Sequence, residues 1–340
     1  MVVVMQAQAT DEQIGGVVER IEAAGGSAFV SRGVHRTIIG LVGDVELFSA
    51  LNLPALPGVA EVLRISTPYK LVSRENHPET STILVGGVPI GAGTVTVIAG
   101  PCAVESAEQT FAAAEIARRA GAGLLRGGAF KPRTSPYAFQ GLGRRGLEIL
   151  AEARDRTGLP VVTEIVDAHD VELVSSYADM LQVGTRNMQN FSLLQAVGGA
   201  SRPVMLKRGL NSTVEEWLMA AEYIAQRGNL DIVLCERGIR TFEPATRNTL
   251  DISAVPVVHA LSHLPVVVDP SHAGGRRDLV APLARAAVAA GADGIMVDVH
   301  PDPEQALCDG PQALVETELS ALVTSVRDLA ALLGRRLATG

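Results

Sequence analysis

The sequence lacks what marks several protein classes. Three cysteines in 340 residues (Cys102, Cys235, Cys308) supply no disulfide framework of the kind small secreted domains need. No uninterrupted apolar run is long enough to cross a bilayer, and the opening MVVVMQ is too short for a secretory leader. These absences imply a cytoplasmic protein with reduced thiols and no membrane partner. Basic residues are also in deficit. With 29 Lys and Arg against 37 Asp and Glu, the net charge is −8, which argues against nucleic acid as a partner. Any anion site must then be a local basic cluster inside an acidic protein. What is present is globular: 47% hydrophobic and 19% charged residues suffice for a large core. The length exceeds one ordinary domain and fits a large barrel plus a small module.

The first 66 residues read as a βαββαβ unit. Val2–Gln6 has strand character. Asp11–Ala24 carries Ile14, Val17, Val18 and Ile21 on one helical face and stops at Gly25-Gly26. Ser27–Ser31 and Arg36–Val42 read as strands around a turn at Gly33, Val45–Leu51 as a short helix and Gly58–Ile65 as a last strand. This order is that of a ferredoxin-like α+β domain. Residues 67–81 are polar, contain Pro68 and Pro78, and read as a linker.

From residue 82 to 340 the rhythm changes. A short hairpin, Thr82–Ile90, turns at Gly86-Gly87. Apolar, β-branched runs then alternate with amphipathic helical stretches. The runs are Thr94–Ala99, Gly123–Arg126, Pro160–Glu164, Met180–Val183, Pro203–Lys207, Ile232–Glu236, Pro265–Asp269 and Gly294–Val299. The last helix, Ala313–Leu333, closes the chain. About eight strand–helix pairs in succession are the pattern of an α/β (β/α)8 TIM barrel. A doubly wound sheet competes, but its Gly-rich fingerprint after the first strand is missing.

Catalytic groups of such barrels sit at the C-terminal ends of the strands. Two chemistries separate there. Cys102, His272, Asp298 and Asp309 combine a thiol, an imidazole and two carboxylates, a donor set suited to Mn2+, Fe2+, Co2+ or Zn2+. Taken singly, Cys102 reads equally as a small buried apolar residue. Arg126, Lys131, Arg133, Arg186, Lys207 and Arg237 form a cationic group whose positions follow strand ends rather than helix faces. Guanidinium forks grip phosphate or carboxylate, and lysine adds point charge.

The segments GPCAVES (100–106), KPRTSPYAFQGLG (131–143), PVMLKRG (203–209), CERGIRTFE (235–243), DPSHAGGRR (269–277) and VHPDPEQALCDG (299–310) resemble the class I 3-deoxy-D-arabino-heptulosonate 7-phosphate (DAHP) synthases. The form resembled is the single barrel with an N-terminal ferredoxin-like regulatory domain. The resemblance implies condensation of phosphoenolpyruvate with erythrose 4-phosphate, the first step of the shikimate pathway. It implies metal ligation by Cys102, His272, Asp298 and Asp309, with Mn2+ the leading ion. It assigns phosphoenolpyruvate to Arg126, Lys131, Arg186, Lys207 and Arg237, and the aldose phosphate to Arg133 and Thr134. Lys131 suits protonation of the developing alkoxide. Glu164 and Glu236 are open alternatives for the proton of the attacking water, and His300 for a supporting role. The resemblance also implies tyrosine or phenylalanine as effector and a homotetramer. Asp298 departs from it, standing where the family carries glutamate. The rival readings are a synthase using arabinose 5-phosphate and a silenced regulatory barrel.

Overall fold

The computed structural model describes residues 1–32, 37–43, 47–48, 50–63, 68–133 and 135–338. The expected turn at Gly33, part of the helix Val45–Leu51, the end of the strand Gly58–Ile65, and Thr134 lie outside the described residues. The chain divides into two units, Met1–Pro68 and Tyr69–Gly340.

The smaller unit contains β1 (Val2–Met5), α1 (Asp11–Ala23), β2 (Ser27–Arg32), β3 (Thr37–Val42) and β4 (Val59–Leu63). The strands form an antiparallel sheet in the order β2-β3-β1-β4. A capping box starts α1: the Thr10 hydroxyl accepts from the Gln13 amide, and the Gln13 side chain accepts from the Thr10 amide. Ile14, Val17 and Ile21 then fall on one helical face. They pack on Val3, Met5, Ile39 and Leu41, alternate residues that share one side of the sheet.

In the larger unit, β5 (Thr82–Val85) and β6 (Val88–Gly91) make the expected hairpin, with Gly86 and Gly87 at φ of 55° and 90° in the turn. Eight parallel strands follow: β7 (Thr94–Gly100), β8 (Leu124–Arg126), β9 (Val161–Ile165), β10 (Met180–Val183), β11 (Val204–Lys207), β12 (Ile232–Glu236), β13 (Val266–Val268) and β14 (Gly294–Asp298). Each pairs with its neighbour in sequence. β14 pairs with β7 from Gly294 opposite Thr96 to Asp298 opposite Gly100, which closes the barrel. Between and after them run α2 (Ala107–Ala120), α3 (Arg144–Thr157), α4 (Val171–Tyr177), α5 (Phe191–Gly198), α6 (Val214–Ala225), α7 (Ala254–Leu261), α8 (Pro270–Gly274), α9 (Arg277–Ala289) and α10 (Glu316–Leu332). The chain does not close on its last helix. Gly334, at φ 70°, turns it into β15 (Arg336–Ala338), which pairs with the start of β7.

Two apolar layers follow from the period-2 alternation of the strands. Ile98, Leu124, Val162, Met180, Met205, Val233, Cys235, Val267 and Met296 point into the barrel and pack with Ile83, Val85, Val88 and Ile90 of the hairpin. The hairpin thus plugs the end where the strands begin. Residues of opposite parity, such as Leu125, Leu181, Leu206, Leu234 and Ile295, meet the helices. There Trp217 of α6 is fully buried and donates its indole N–H to the Leu206 carbonyl at 3.1 Å.

Much of the stretch read as a linker belongs to this unit. Tyr69 and Val72 are buried, and the amides of Leu71 and Val72 donate to the buried Glu222 carboxylate at 3.0 and 3.1 Å. Part of its backbone is tied to the helical layer by these bonds, which composition does not reveal.

Candidate metal centre and anion pocket

The same alternation that builds the core builds the site. Continuing each inward-facing row past its last apolar residue gives Arg126 after Leu124, Glu164 after Val162, Gln182 after Met180, Lys207 after Met205, Arg237 after Cys235, Asp269 after Val267 and Asp298 after Met296. The C-terminal mouth is therefore lined by charge, while the rest of the barrel interior is apolar.

A cavity of about 500 Å³ opens there. Its lining includes Arg126, Lys131, Arg133, Glu164, Arg186, Lys207, Arg237, His272 and Asp309, all expected from the sequence. It also includes Gln182, Arg240, Arg247 and Asn248. Among the described residues, eight basic side chains face two carboxylates, in a chain whose net charge is −8. Gly184 leaves room for the Glu164 carboxylate, since a Cβ there would stand 1.9 Å from Glu164 Oε1 and displace it.

Buried cations at the mouth are held by buried anions. Lys207 Nζ lies 2.6 Å from Asp269 Oδ2, and Arg126 pairs with Asp298 through Nη1. Two guanidinium nitrogens, Arg126 Nε and Arg237 Nη1, are buried without a hydrogen-bond partner. Burial lowers the Arg237 pKa from its ordinary value, opposed by Asp269. Orphaned buried donors of this kind call for an acceptor from a ligand.

At one side of the mouth the thiol, imidazole and carboxylates converge. Cys102 Sγ is 3.0 Å from Asp309 Oδ2 and 3.7 Å from His272 Nε2. His272 Nε2 is 3.6 Å from Asp309 Oδ2. Donor atoms of Cys102, His272, Asp298 and Asp309 all lie within 4.8 Å of one another. The donors of a tetrahedral ion bonded at about 2.0–2.3 Å stand roughly 3.5 Å apart, so the residues fit a divalent metal once their widest separations close by about an ångström. The groups around them orient the set. His272 Nδ1 is 2.8 Å from Asp269 Oδ2, Gln312 Nε2 donates to Asp298 Oδ2 at 2.8 Å, and Arg247 Nη1 donates to Asp309 Oδ1 at 2.8 Å. Lys131 Nζ donates to Cys102 O and Sγ at 3.0 and 3.2 Å, joining the donor set to the cavity. Burial opposes the charge of Lys131, but Cys102 and Glu164 raise its pKa, so it is a cation.

Four described residues expected at the site do not line the cavity: Cys102 and Asp298, which belong to the donor cluster beside it, and Glu236 and His300. Glu236 follows the inward Cys235 and so points outward, where Arg208 Nη1 donates to its Oε2 at 2.9 Å and the Gly238 amide to its Oε1 at 2.7 Å. His300 is buried, with Nδ1 accepting from the Asp302 amide at 3.0 Å. Arg247 and Gln312 went unnoticed because they lie in loops without periodicity. Gln182 was legible through strand parity. Cys308 is a free thiol 3.8 Å from Cys102 Sγ.

A closed barrel with such a mouth, and with a donor set that could hold a metal, belongs among the barrel enzymes that act on anionic substrates. More particularly, the chain belongs to the DAHP synthetase I family, whose model matches residues 71–334, and the model of the DAHP synthase ferredoxin-like domain matches residues 1–67. It is 53% identical over 334 residues to the phospho-2-dehydro-3-deoxyheptonate aldolase of Thermotoga maritima, covering 98% of this chain and 99% of that one. The crystal structure of a Thermotoga maritima protein of that name superposes with a TM-score of 0.80 at 52% identity, over 99% of this chain and 98% of that one. A 2-dehydro-3-deoxyphosphooctonate aldolase of Syntrophotalea carbinolica is 36% identical over 68% of this chain and 90% of its own.

The donor set makes metal binding pH-dependent. Burial disfavours the charged His272, but the carboxylates of Asp269 and Asp298 raise its pKa to about 10. The Cys102 thiol is pushed up by its contact with Cys308 and by burial. Both hold protons at neutral pH, and a metal must displace them, so affinity falls as pH falls from about 8 to about 6. Calorimetric titration with Mn2+ in buffers of different ionisation enthalpy should show net proton release. Binding without proton release would reject this donor set.

Proposed function

We propose that this protein condenses phosphoenolpyruvate with erythrose 4-phosphate and water, giving 3-deoxy-D-arabino-heptulosonate 7-phosphate and phosphate. The observation that carries this reading is the convergence of eight basic side chains on a cavity whose lining includes His272 and Asp309, two of the four clustered Cys, His and Asp donors. Two phosphoryl groups and a carboxylate need that much positive charge, and little else in an acidic protein does.

Arg126, Lys131, Arg186, Lys207 and Arg237 hold the phosphate and carboxylate of phosphoenolpyruvate, with the orphaned Arg126 Nε and Arg237 Nη1 as ready donors. Arg133 and Thr134 take the aldose phosphate. A divalent ion held by Cys102, His272, Asp298 and Asp309 supplies Lewis-acid polarisation of the aldehyde. The enol carbon attacks the aldehyde carbon, and Lys131, charged and beside the donor set, gives its proton to the developing alkoxide. Positive charge at the phosphate-bearing carbon draws water, whose proton passes to Glu164. Of the two carboxylates lining the cavity among the described residues, Asp309 belongs to the donor set and Glu164 remains free for this role. Phosphate then leaves.

Phosphate release from phosphoenolpyruvate should require Mn2+ and erythrose 4-phosphate, proceed much more slowly with arabinose 5-phosphate and stop with chelator. Preference for the pentose would move the protein to the octulosonate reaction, and no release with either sugar would leave a silenced barrel.

Asp298 is one methylene shorter than glutamate, and both its oxygens are held, one by Arg126 and the other by Gln312. It therefore reaches a metal less well. Asp298→Glu should raise Mn2+ affinity severalfold in calorimetry, and equal affinities would remove this reading.

The ferredoxin-like unit reads as the seat of feedback inhibition by tyrosine or phenylalanine, in a homotetramer. It rests on the match to the ferredoxin-like domain model over residues 1–67. Removing residues 1–68, the smaller unit, should abolish inhibition and spare turnover. A truncated chain inhibited as strongly as the whole one would place the effector elsewhere.

A further inference from the structure

Glu105 takes no part in the chemistry above, yet it is placed between the two loops that carry metal donors. Cys102 lies on the loop after β7, three residues before Glu105, and Asp309 lies on the loop after β14. The Glu105 side chain is only 9% exposed. Its Oε1 accepts the amide of Leu307 at 2.9 Å, two residues before Asp309. Its Oε2 faces His300 Nε2 at 3.5 Å, at the start of the same loop. The proton on that ring is assigned by its other nitrogen. Nδ1 accepts the Asp302 amide, so the neutral ring carries its hydrogen on Nε2, and that nitrogen is buried without a hydrogen bond. The nearby carboxylate oxygen is its natural acceptor. One largely enclosed carboxylate thus reaches the beginning and the end of the 300–307 stretch.

The stretch needs such a hold. Beyond the His300 amide, which donates to the Leu314 carbonyl at 3.1 Å, its backbone bonds are local turns, Gln305 to Asp302 and Ala306 to Pro303, at 3.0 and 3.4 Å. Asp309 itself sits at φ 56°, a left-handed conformation that a non-glycine residue keeps only when its surroundings impose it. A loop free to relax would carry the Asp309 carboxylate away from the Cys102 thiol, 3.0 Å distant.

We propose that Glu105 is a positioning residue that clasps the Asp309 loop to the Cys102 loop and so presets the distance between these two metal donors. His300 is the second arm of the clasp. The proposal rests on the metal-centre reading of Cys102, His272, Asp298 and Asp309 and deepens it.

The test is Mn2+ binding by calorimetry to the whole chain and to Glu105→Ala and Glu105→Gln, with thermal unfolding of the chelator-treated proteins alongside. Glu105→Ala should bind Mn2+ about tenfold or more weakly, the range seen when a residue orienting a ligand is lost. Its metal-free unfolding should stay close to that of the unaltered chain, and saturating Mn2+ should restore kcat. Glu105→Gln keeps an oxygen for the Leu307 amide and should recover much of the affinity. Should the Ala variant fail to fold, Glu105→Asp keeps the charge, withdraws the oxygens by one methylene and should weaken Mn2+ binding likewise. Unchanged Mn2+ affinity in the variant that folds overturns the clasp, as does a Gln variant no better than Ala. Failure of the unaltered chain to bind Mn2+ overturns the metal reading and the clasp together.

Discussion

The pairing of β14 with β7 is the contact on which the rest of the larger unit depends. Once the sheet closes, every strand residue faces either a sealed interior or the helical layer, and period-2 alternation decides which. Below the mouth the inward rows are apolar and pack on the hairpin. At the mouth the same rows become Arg126, Glu164, Gln182, Lys207, Arg237, Asp269 and Asp298. Such a concentration of charge in a poorly solvated place is tolerable only if most of it is paired. Arg126 with Asp298 and Lys207 with Asp269 do this, with every partner at most 6% exposed. These pairs fix both members; Arg126 Nε, and Nη1 of the separate Arg237, remain without acceptors.

Labour is divided between strands and loops. Of the eight cations at the cavity, the strands deliver Arg126 and Lys207 at positions set by the barrel, and the other six come from beyond the strand ends. Three of the four metal donors, Cys102, His272 and Asp309, lie beyond strand ends, and only Asp298 is a strand residue. Their convergence therefore depends on what holds the loops: Asp269 beneath His272, Gln312 on Asp298, and Arg247 on Asp309. Lys131 joins the two halves, bonded to Cys102 while lining the cavity. That placement puts one cation against both the donor set and the cavity.

Much of the site was legible in the chain because the barrel ties function to position. The motif segments fall at strand ends, and cations at strand ends of an acidic protein have few other uses. Glu236 misled because it ends an apolar run just as Glu164 does, but it is one residue out of the inward row and is spent on Arg208. His300 misled because its motif is next to the site while its ring is turned into the loop. Arg247 lies in an irregular segment whose path no local pattern specifies. Residues 69–81 looked like a linker because the group that holds the Leu71 and Val72 amides, the Glu222 carboxylate, is about 150 residues away.

By itself the sequence determined the order of strands and helices, the break between a small α+β unit and a barrel, and the residue types at the ends of the strands. These follow from local periodicity and from motifs that are continuous in the chain. Only the tertiary structure decided which charged residues face the cavity, which are used up in buried pairs, and that residues 102, 272, 298 and 309 bring donor atoms within 4.8 Å of one another. Facing depends on strand register around a closed sheet, and proximity depends on loops folded against partners far away in sequence. Neither is written in any local stretch of the chain.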